Sequence, residues 1–437
     1  MANKAIRKFV KQQDGALTAF GLFFGLSSIV IGGLAIDVAS AMMARTQLQA
    51  AADAAAHAAL YIREWEDSAT AKTAALAIAE TNMPAARFGS LLTADDIQFG
   101  YWDRDAQAFQ IDPDSKDAVF VDISRLAAKG NSVGTYFLRF AGFNSWDVRR
   151  GAVFETYIPK CFREGFVADG IIDIQTDNIY RSGFCLHSNT HMEMNSNNTF
   201  EDGTIVSMPD KRNVVLSSSG METNDGLAAA LRDNSYRMRL LDRIDDIIAG
   251  VLDSNSKYYQ SYITSSTPIA LNSNWKLDAS KFTQGRIHTI SCSSMSQQAT
   301  IHELTSLKNV VIWTNCKFKF GANVKLQNVV IVNENTRDSS FNSASGLQLG
   351  KDDNCDTDGG VQLVTRGGIK FPQYLSMYGG QMIALGDISF SSNANGIQGA
   401  SVIAGGRIDG TTDMDMGFCG GAGMENNFEA VYFRLAS

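Results

Sequence analysis

The chain has 437 residues, 45% of them hydrophobic and 19% charged, which fits a folded protein of two or three domains and excludes a disordered one. Its 38 Lys and Arg against 46 Asp and Glu leave a thin net charge of −8, so nothing points to a nucleic-acid-binding surface. Six prolines against 38 glycines make glycine the main punctuation, as tight turns between many short strands require.

Residues 1–14 carry Lys4, Arg7, Lys8 and Lys11 and read as a basic N-terminus. "GALTAFGLFFGLSSIVIGGLAI" (15–36) then runs uncharged to Asp37. As a helix it would be about 33 Å long, enough to cross a hydrocarbon core. Basic residues before the span and an acid after it place the N-terminus in the cytoplasm and the rest outside. Two other fates compete with a retained anchor. A signal peptide would be cut after "ASA" (Ala39–Ala41), but the apolar run exceeds the usual ~7–15 residues. A prepilin leader would need a glutamate five residues after Gly15, where Phe20 stands. Within the span, Gly21 and Gly25 form a Gly-x-x-x-Gly pair that would let a second helix approach in lipid, although glycine is common in membrane helices in any case.

"QLQAAADAAAHAAL" (47–60) continues the helix, because alanine loses no rotamer freedom on becoming helical. Ala41, Ala44, Leu48, Ala51, Ala55 and Ala59 form a smooth stripe against which a sheet or helix can pack. Arg45, Gln49, Asp53 and His57 line another side, where His57 reads as a solvated partner of Asp53 rather than a metal ligand or pH sensor.

These residues resemble a known family. Gly15, the "LAIDVA" of Leu34–Ala39 and the alanine helix Gln47–Ala59 are similar to the N-terminus of TadG-like proteins of the tight-adherence (Flp) pilus-assembly system. The likeness extends more loosely through 95–158, where "AVFVDIS" alternates like a strand and "DPDS" reads as a turn. The resemblance implies a pilin-like stem of one long helix against a few strands over residues 37–158. It also implies a single-pass protein of the bacterial inner membrane whose partners are other pilus-assembly proteins, with no catalytic residues.

From residue 159 to 437 the character changes to short apolar strands between Ser, Asn and Gly turns. "LKNVVIW" (307–313) returns as "LQNVVIV" (326–332) after 19 residues, and "QMIA" (381–384) as "SVIA" (401–404) after 20. That period predicts a solenoid, best fitted by a parallel β-helix. Leu227, Leu231, Leu240, Leu241, Ile244, Ile247, Ile248 and Val251 fit helical spacing and predict a helical insertion over about 225–253.

The six cysteines lie beyond residue 160 with no Cys-x-x-Cys pair, which suits an oxidising compartment and argues against zinc. Cys161 and Cys185 are 24 residues apart, as are Cys292 and Cys316. Equivalent positions on successive coils stack about 4.8 Å apart, within disulfide range, leaving Cys355 for Cys419 among the fifteen connectivities six cysteines allow.

No His-Glu-x-x-His, phosphate loop or Gly-His-Gly occurs. The paired acids Asp95–Asp96, Asp245–Asp246 and Asp352–Asp353 read as solvated turn or helix residues rather than the opposed carboxylates of a glycosidase. Asn354, Asp356 and Asp358 before Gly359 resemble the start of a calcium loop, but Thr365 stands where the closing glutamate would be. No cofactor is expected. The expectation is a non-enzymatic envelope protein of pilus assembly or adhesion, with surface glycans as a further class of partner. The alternative is a carbohydrate-active or glycan-binding β-helix.

Overall fold

The computed structural model describes residues 14–218, 220–410 and 412–437; the basic N-terminal residues that bear on orientation lie outside them. The chain divides into two units, Met1–Tyr157 with Val431–Ser437, and Ile158–Ala430.

In the first unit, helix α1 runs unbroken over Asp14–Arg63, 50 residues or about 75 Å. Its apolar residues before position 37 are largely exposed, whereas Ala44, Leu48, Ala51, Ala52, Ala55, Ala56, Ala59 and Leu60 are buried. The alanine stripe therefore packs as its spacing predicts. Arg63 ends the helix by donating to the carbonyls of Glu66 and Asp114 while lying over the Phe99 ring. Asp67 then caps helix α2 (Ser68–Asn82), accepting the Thr70 N–H at 2.7 Å, and Ala71, Ala75 and Ala79 turn inward every fourth residue.

Small side chains on α1 admit helix α2 and also an antiparallel five-stranded sheet, ordered Ala108–Ile111, Ile97–Asp103, Ala118–Arg125, Val148–Tyr157, Tyr432–Leu435. Ile97, Phe99, Val119, Val121, Ile123 and Ala152 complete its core. The last strand corrects the expectation that everything to residue 437 belongs to the solenoid. Tyr432–Leu435 pairs with Phe154–Tyr157, and Arg434 Nε reaches Glu155 Oε1 at 2.7 Å.

The second unit is a parallel β-solenoid formed within a 22-stranded sheet. The repeated sequences stack in register: Val310, Val311 and Ile312 lie on Val329, Val330 and Ile331, and Gln381–Ala384 lies on Ser401–Ala404. Aliphatic and aromatic residues fill the interior, among them Phe166, Phe184, Phe318, Phe320, Phe341 and Phe371. The corner before these strands needs a left-handed residue. Asn309 and Asn328 supply it at φ 54° and 49°, and Gly379 and Gly399 at 69° and 65°. Buried asparagines also stack across coils, with Asn178 Nδ2 donating to Asn198 Oδ1 and Asn198 Nδ2 to Asn224 Oδ1, both at 2.9 Å.

Coils do not stack in chain order. The last long coil strand, Ser401–Ala404, pairs with Gly165–Ala168, the first. From there one run continues through Cys185–Ser188 and Ile205–Met208 to Leu231–Asp233. The other runs back from 401–404 to the strand Ser265–Asn272. The strands at 231–233 and 265–272 are thus opposite ends of the stack. About ten steps of roughly 4.8 Å, or about 48 Å, separate them.

Residues 234–264 cover that distance as a strap. The expected helical insertion is mostly not helical: only Leu227–Ala230 and Ile244–Gly250 form α-helix. Leu231 instead joins a strand beside Val206, because the solenoid edge offers backbone partners there. Ile244, Ile247, Ile248 and Val251 keep helical spacing and are buried.

Candidate functional site

In the apolar half of α1, nothing lies within 4 Å of a Cβ built on Gly21 or Gly25, so that face is open for an approaching surface. The apolar run ends at Asp37, which is fully buried. Its carboxylate accepts three consecutive backbone N–H groups, from Tyr136 at 2.6 Å, Phe137 at 3.0 Å and Leu138 at 2.6 Å. Burial takes water from this carboxylate, and the three N–H donors take the place of that water. Sequence reasoning treated Asp37 only as the charge that closes the span. Its partners lie about a hundred residues away, and no local pattern announces them.

Of the polar line on α1, Gln49 Nε2 donates to Asp53 Oδ1 at 2.8 Å and to the Gly151 carbonyl at 3.2 Å. His57 lies among aromatic rings, with Phe154 at 5.4 Å, Phe433 at 5.7 Å and Tyr61 at 6.3 Å. The residue itself is exposed to solvent.

In the solenoid, disulfides join Cys161 to Cys185, Cys292 to Cys316 and Cys355 to Cys419, with Cα separations of 4.8, 5.2 and 5.5 Å. The second links equivalent positions on neighbouring coils, whereas the first ties the short helix Lys160–Arg163 to the strand Cys185–Ser188, whose coil partner is Gly165–Ala168. The third ties the 352–359 turn to the glycine-rich loop after Gly417. Buried Glu164 holds that same loop, accepting N–H groups from Cys419 at 2.6 Å and Gly421 at 3.3 Å, and burial pushes its carboxyl up.

Asn354, Asp356 and Asp358 sit in the disulfide-tied turn, where Asn354, Cys355 and Asp358 all have positive φ. Asp356 Oδ1 accepts the Thr357 N–H at 2.8 Å. Among the described residues no three His, Cys, Asp or Glu side chains converge as a metal site would require. The paired acids have structural partners. Asp96 closes a capping box with Thr93, Asp245 pairs with Arg366 at 2.9 Å, and Asp353 pairs with Lys351 at 3.0 Å.

One feature of the solenoid surface was not read from the sequence. Charged residues stack in ladders across coils: Arg181 bridges Asp415 and Glu201, and Arg407 bridges Asp173 and Glu193. The 20-residue offset between Arg181 and Glu201, and between Asp173 and Glu193, is the signal that would have found them. Both clusters lie on the three coils around the junction of 401–404 with 165–168.

Comparison with known families gives two matches. A model described as "Domain of unknown function (DUF7867)" matches residues 165–420, more than half of the chain. A model described as "Putative Flp pilus-assembly TadE/G-like" matches residues 15–77. Neither a curated protein nor a solved structure matches. The TadE/G-like segment supports a role in pilus assembly, and its apolar helix fits a single-pass membrane protein.

Proposed function

Because the chain belongs to the family described as Domain of unknown function (DUF7867), whose model spans the solenoid, we propose that the solenoid carries its particular task while the TadE/G-like helix fixes where it works. The protein is a non-enzymatic, single-pass component of Flp-type pilus assembly. It is held in the bacterial inner membrane with its N-terminus cytoplasmic and its solenoid in the periplasm or beyond. The observation that carries this reading is the TadE/G-like match over residues 15–77, which covers the exposed apolar run and the buried alanine stripe of one helix.

Gly21 and Gly25 would receive a helix of another pilus-assembly protein in the bilayer. The solenoid presents a long, polar, disulfide-tied surface, the type of surface on which repeat proteins hold extended partners. Its role is adhesive or tethering, toward pilus proteins or surface glycans. A deletion in cells that make Flp-type pili tests the proposal. The expected result is fewer pili or weaker attachment, restored by the full-length chain but not by one lacking 165–420. Unchanged pilus number and attachment would overturn it. Release of reducing ends from acidic polysaccharides by the purified chain would favour a carbohydrate-active enzyme instead.

A further inference from the structure

Residues 132–146, "SVGTYFLRFAGFNSW", contain five aromatic residues and one charge, Arg139. In a water-facing loop such aromatics would be expected to turn inward. Here Phe140 is 81% exposed, Phe143 66% and Tyr136 60%. The loop folds back along the apolar part of α1 rather than away from it. The Phe137 ring lies on Gly33, where a Cβ would fall 2.4 Å from its Cγ. An apolar cleft of about 330 Å³ separates Leu138, Phe140 and Ala141 from Leu26, Ile29, Val30 and Leu34 of the helix. Leu26 lies eleven residues before Asp37, so the loop descends beside the helix by about 16 Å, close to half of a ~30 Å hydrocarbon core.

The loop is also built to tolerate that depth. Backbone N–H and C=O groups in lipid must be satisfied within the protein. Three N–H groups, those of Tyr136, Phe137 and Leu138, are taken by Asp37. Those of Thr135, Phe140, Gly142 and Phe143 donate to carbonyls of the same loop at 3.0–3.1 Å. The short pairing of Val133 with Trp146 and Gly134 with Ser145 closes its base. Arg139 lies with its guanidinium 5.2 Å from the Phe140 ring centre, and its long stem lets the charge reach the headgroup layer.

We propose that residues 136–143 are a second, re-entrant membrane contact: an aromatic foot clamped to the helix by Asp37, which inserts Phe140 and Phe143 into the outer leaflet of the membrane that α1 crosses. The occupant of the cleft and of the exposed aromatic face is lipid acyl chain. This rests on the reading of α1 as a membrane span. With two contacts instead of one, the foot fixes the rotation of the helix in the bilayer, which a single helix cannot do.

The test uses the full chain in vesicles of phosphatidylethanolamine and phosphatidylglycerol. All its cysteines are disulfide-bonded, so an added cysteine is the single free thiol for a nitroxide label. Labels go at Phe140→Cys, Phe143→Cys, Leu22→Cys in the span, and Ser254→Cys on the solenoid strap. Accessibility to oxygen relative to a water-soluble nickel reagent is expected to be several-fold higher at 140, 143 and 22 than at 254. If Leu22→Cys reports lipid while both foot labels report water, the foot is overturned and the span survives. If Leu22→Cys itself reports water, the span fails and the foot with it. Labels at 140 and 143 shielded from both reagents, or coupled between copies, would show a protein covering the aromatics and overturn the lipid assignment.

Discussion

Asp37 shows how one residue can be easy to see and hard to understand. Its position at the end of an uncharged run was plain, but its carboxylate serves three amides about a hundred residues on. Removing it leaves those donors bare. Trypsin should cut at Arg139 slowest in the native protein, faster in Asp37→Asn, which keeps one acceptor oxygen, and fastest in Asp37→Ala. Equal rates would refute the clamp. Asn198 supports the solenoid interior in a similar way, being 1% exposed and bonded to Asn178, Asn224 and the Gln175 carbonyl. Asn198→Ala should cost about 1–3 kcal/mol in denaturant unfolding, the penalty for leaving buried polar groups unpaired.

His288 makes the solenoid sensitive to acid. Buried against Phe282 and near the charge of Arg286, with Nε2 accepting the Thr283 N–H at 3.1 Å, it has a pKa lowered to about 4. Burial moves His187 in the same direction. In the unfolded chain a histidine takes its proton near pH 6.5, so below that value the unfolded state binds more protons than the folded one. The histidine contribution to stability should therefore be flat above about pH 6.5 and fall as pH drops toward about 4. The His288→Gln variant should lose part of that slope in thermal melts, and an unchanged slope would exclude His288 as its source.

At the level of elements, the alanine stripe and the repeating strands were legible because each depends on neighbours close in sequence. Alanine spacing sets which face of α1 can approach a sheet. Ala55→Leu, at a fully buried position, should destabilise the first unit by about 1–3 kcal/mol through overpacking, read from its melting transition. The 19- and 20-residue periods correspond to strands lying in register one coil apart. The 225–253 segment misled because leucine and isoleucine at helical spacing also suit a strand edge followed by a short helix. Leu231 went to the strand, since an open solenoid edge offers hydrogen bonds that an isolated helix cannot. The foot at 136–143 was read only as part of a strand-rich stem; its aromatics gain meaning from lying beside the span. For the cysteines, a peptide map of the oxidised protein should return 161–185, 292–316 and 355–419 pairs. A peptide linking Cys161 to Cys316 would contradict them.

At the scale of the whole molecule, the stacking order escaped sequence reasoning for a physical reason. Every coil presents a similar apolar strand, so local pattern cannot say that 165–168 sits beside 401–404 rather than at an end. This junction joins strands more than 230 residues apart, and such long-range pairing is slow to form. It also gives the solenoid a property that a sequential stack lacks. In a chain that also lacks Val431–Ser437, whose strand would itself tie the fragments through Phe154–Tyr157, a protease site inserted at exposed Ser254 should cut the strap and leave two fragments that still elute together on a sizing column, held by the 165–168 and 401–404 strands. Separation of the fragments without denaturant would refute the junction.

The account as a whole depends on where the two ends of the chain lie. The most direct measurement is fractionation of cells carrying a C-terminally tagged chain, with protease added to whole cells and to spheroplasts. A chain anchored by α1 with its solenoid outside the inner membrane should sediment with that membrane, resist carbonate extraction and lose its tag once the outer membrane is opened. A fragment beginning near Met42 and free of the membrane, or a tag still protected in spheroplasts, would contradict it.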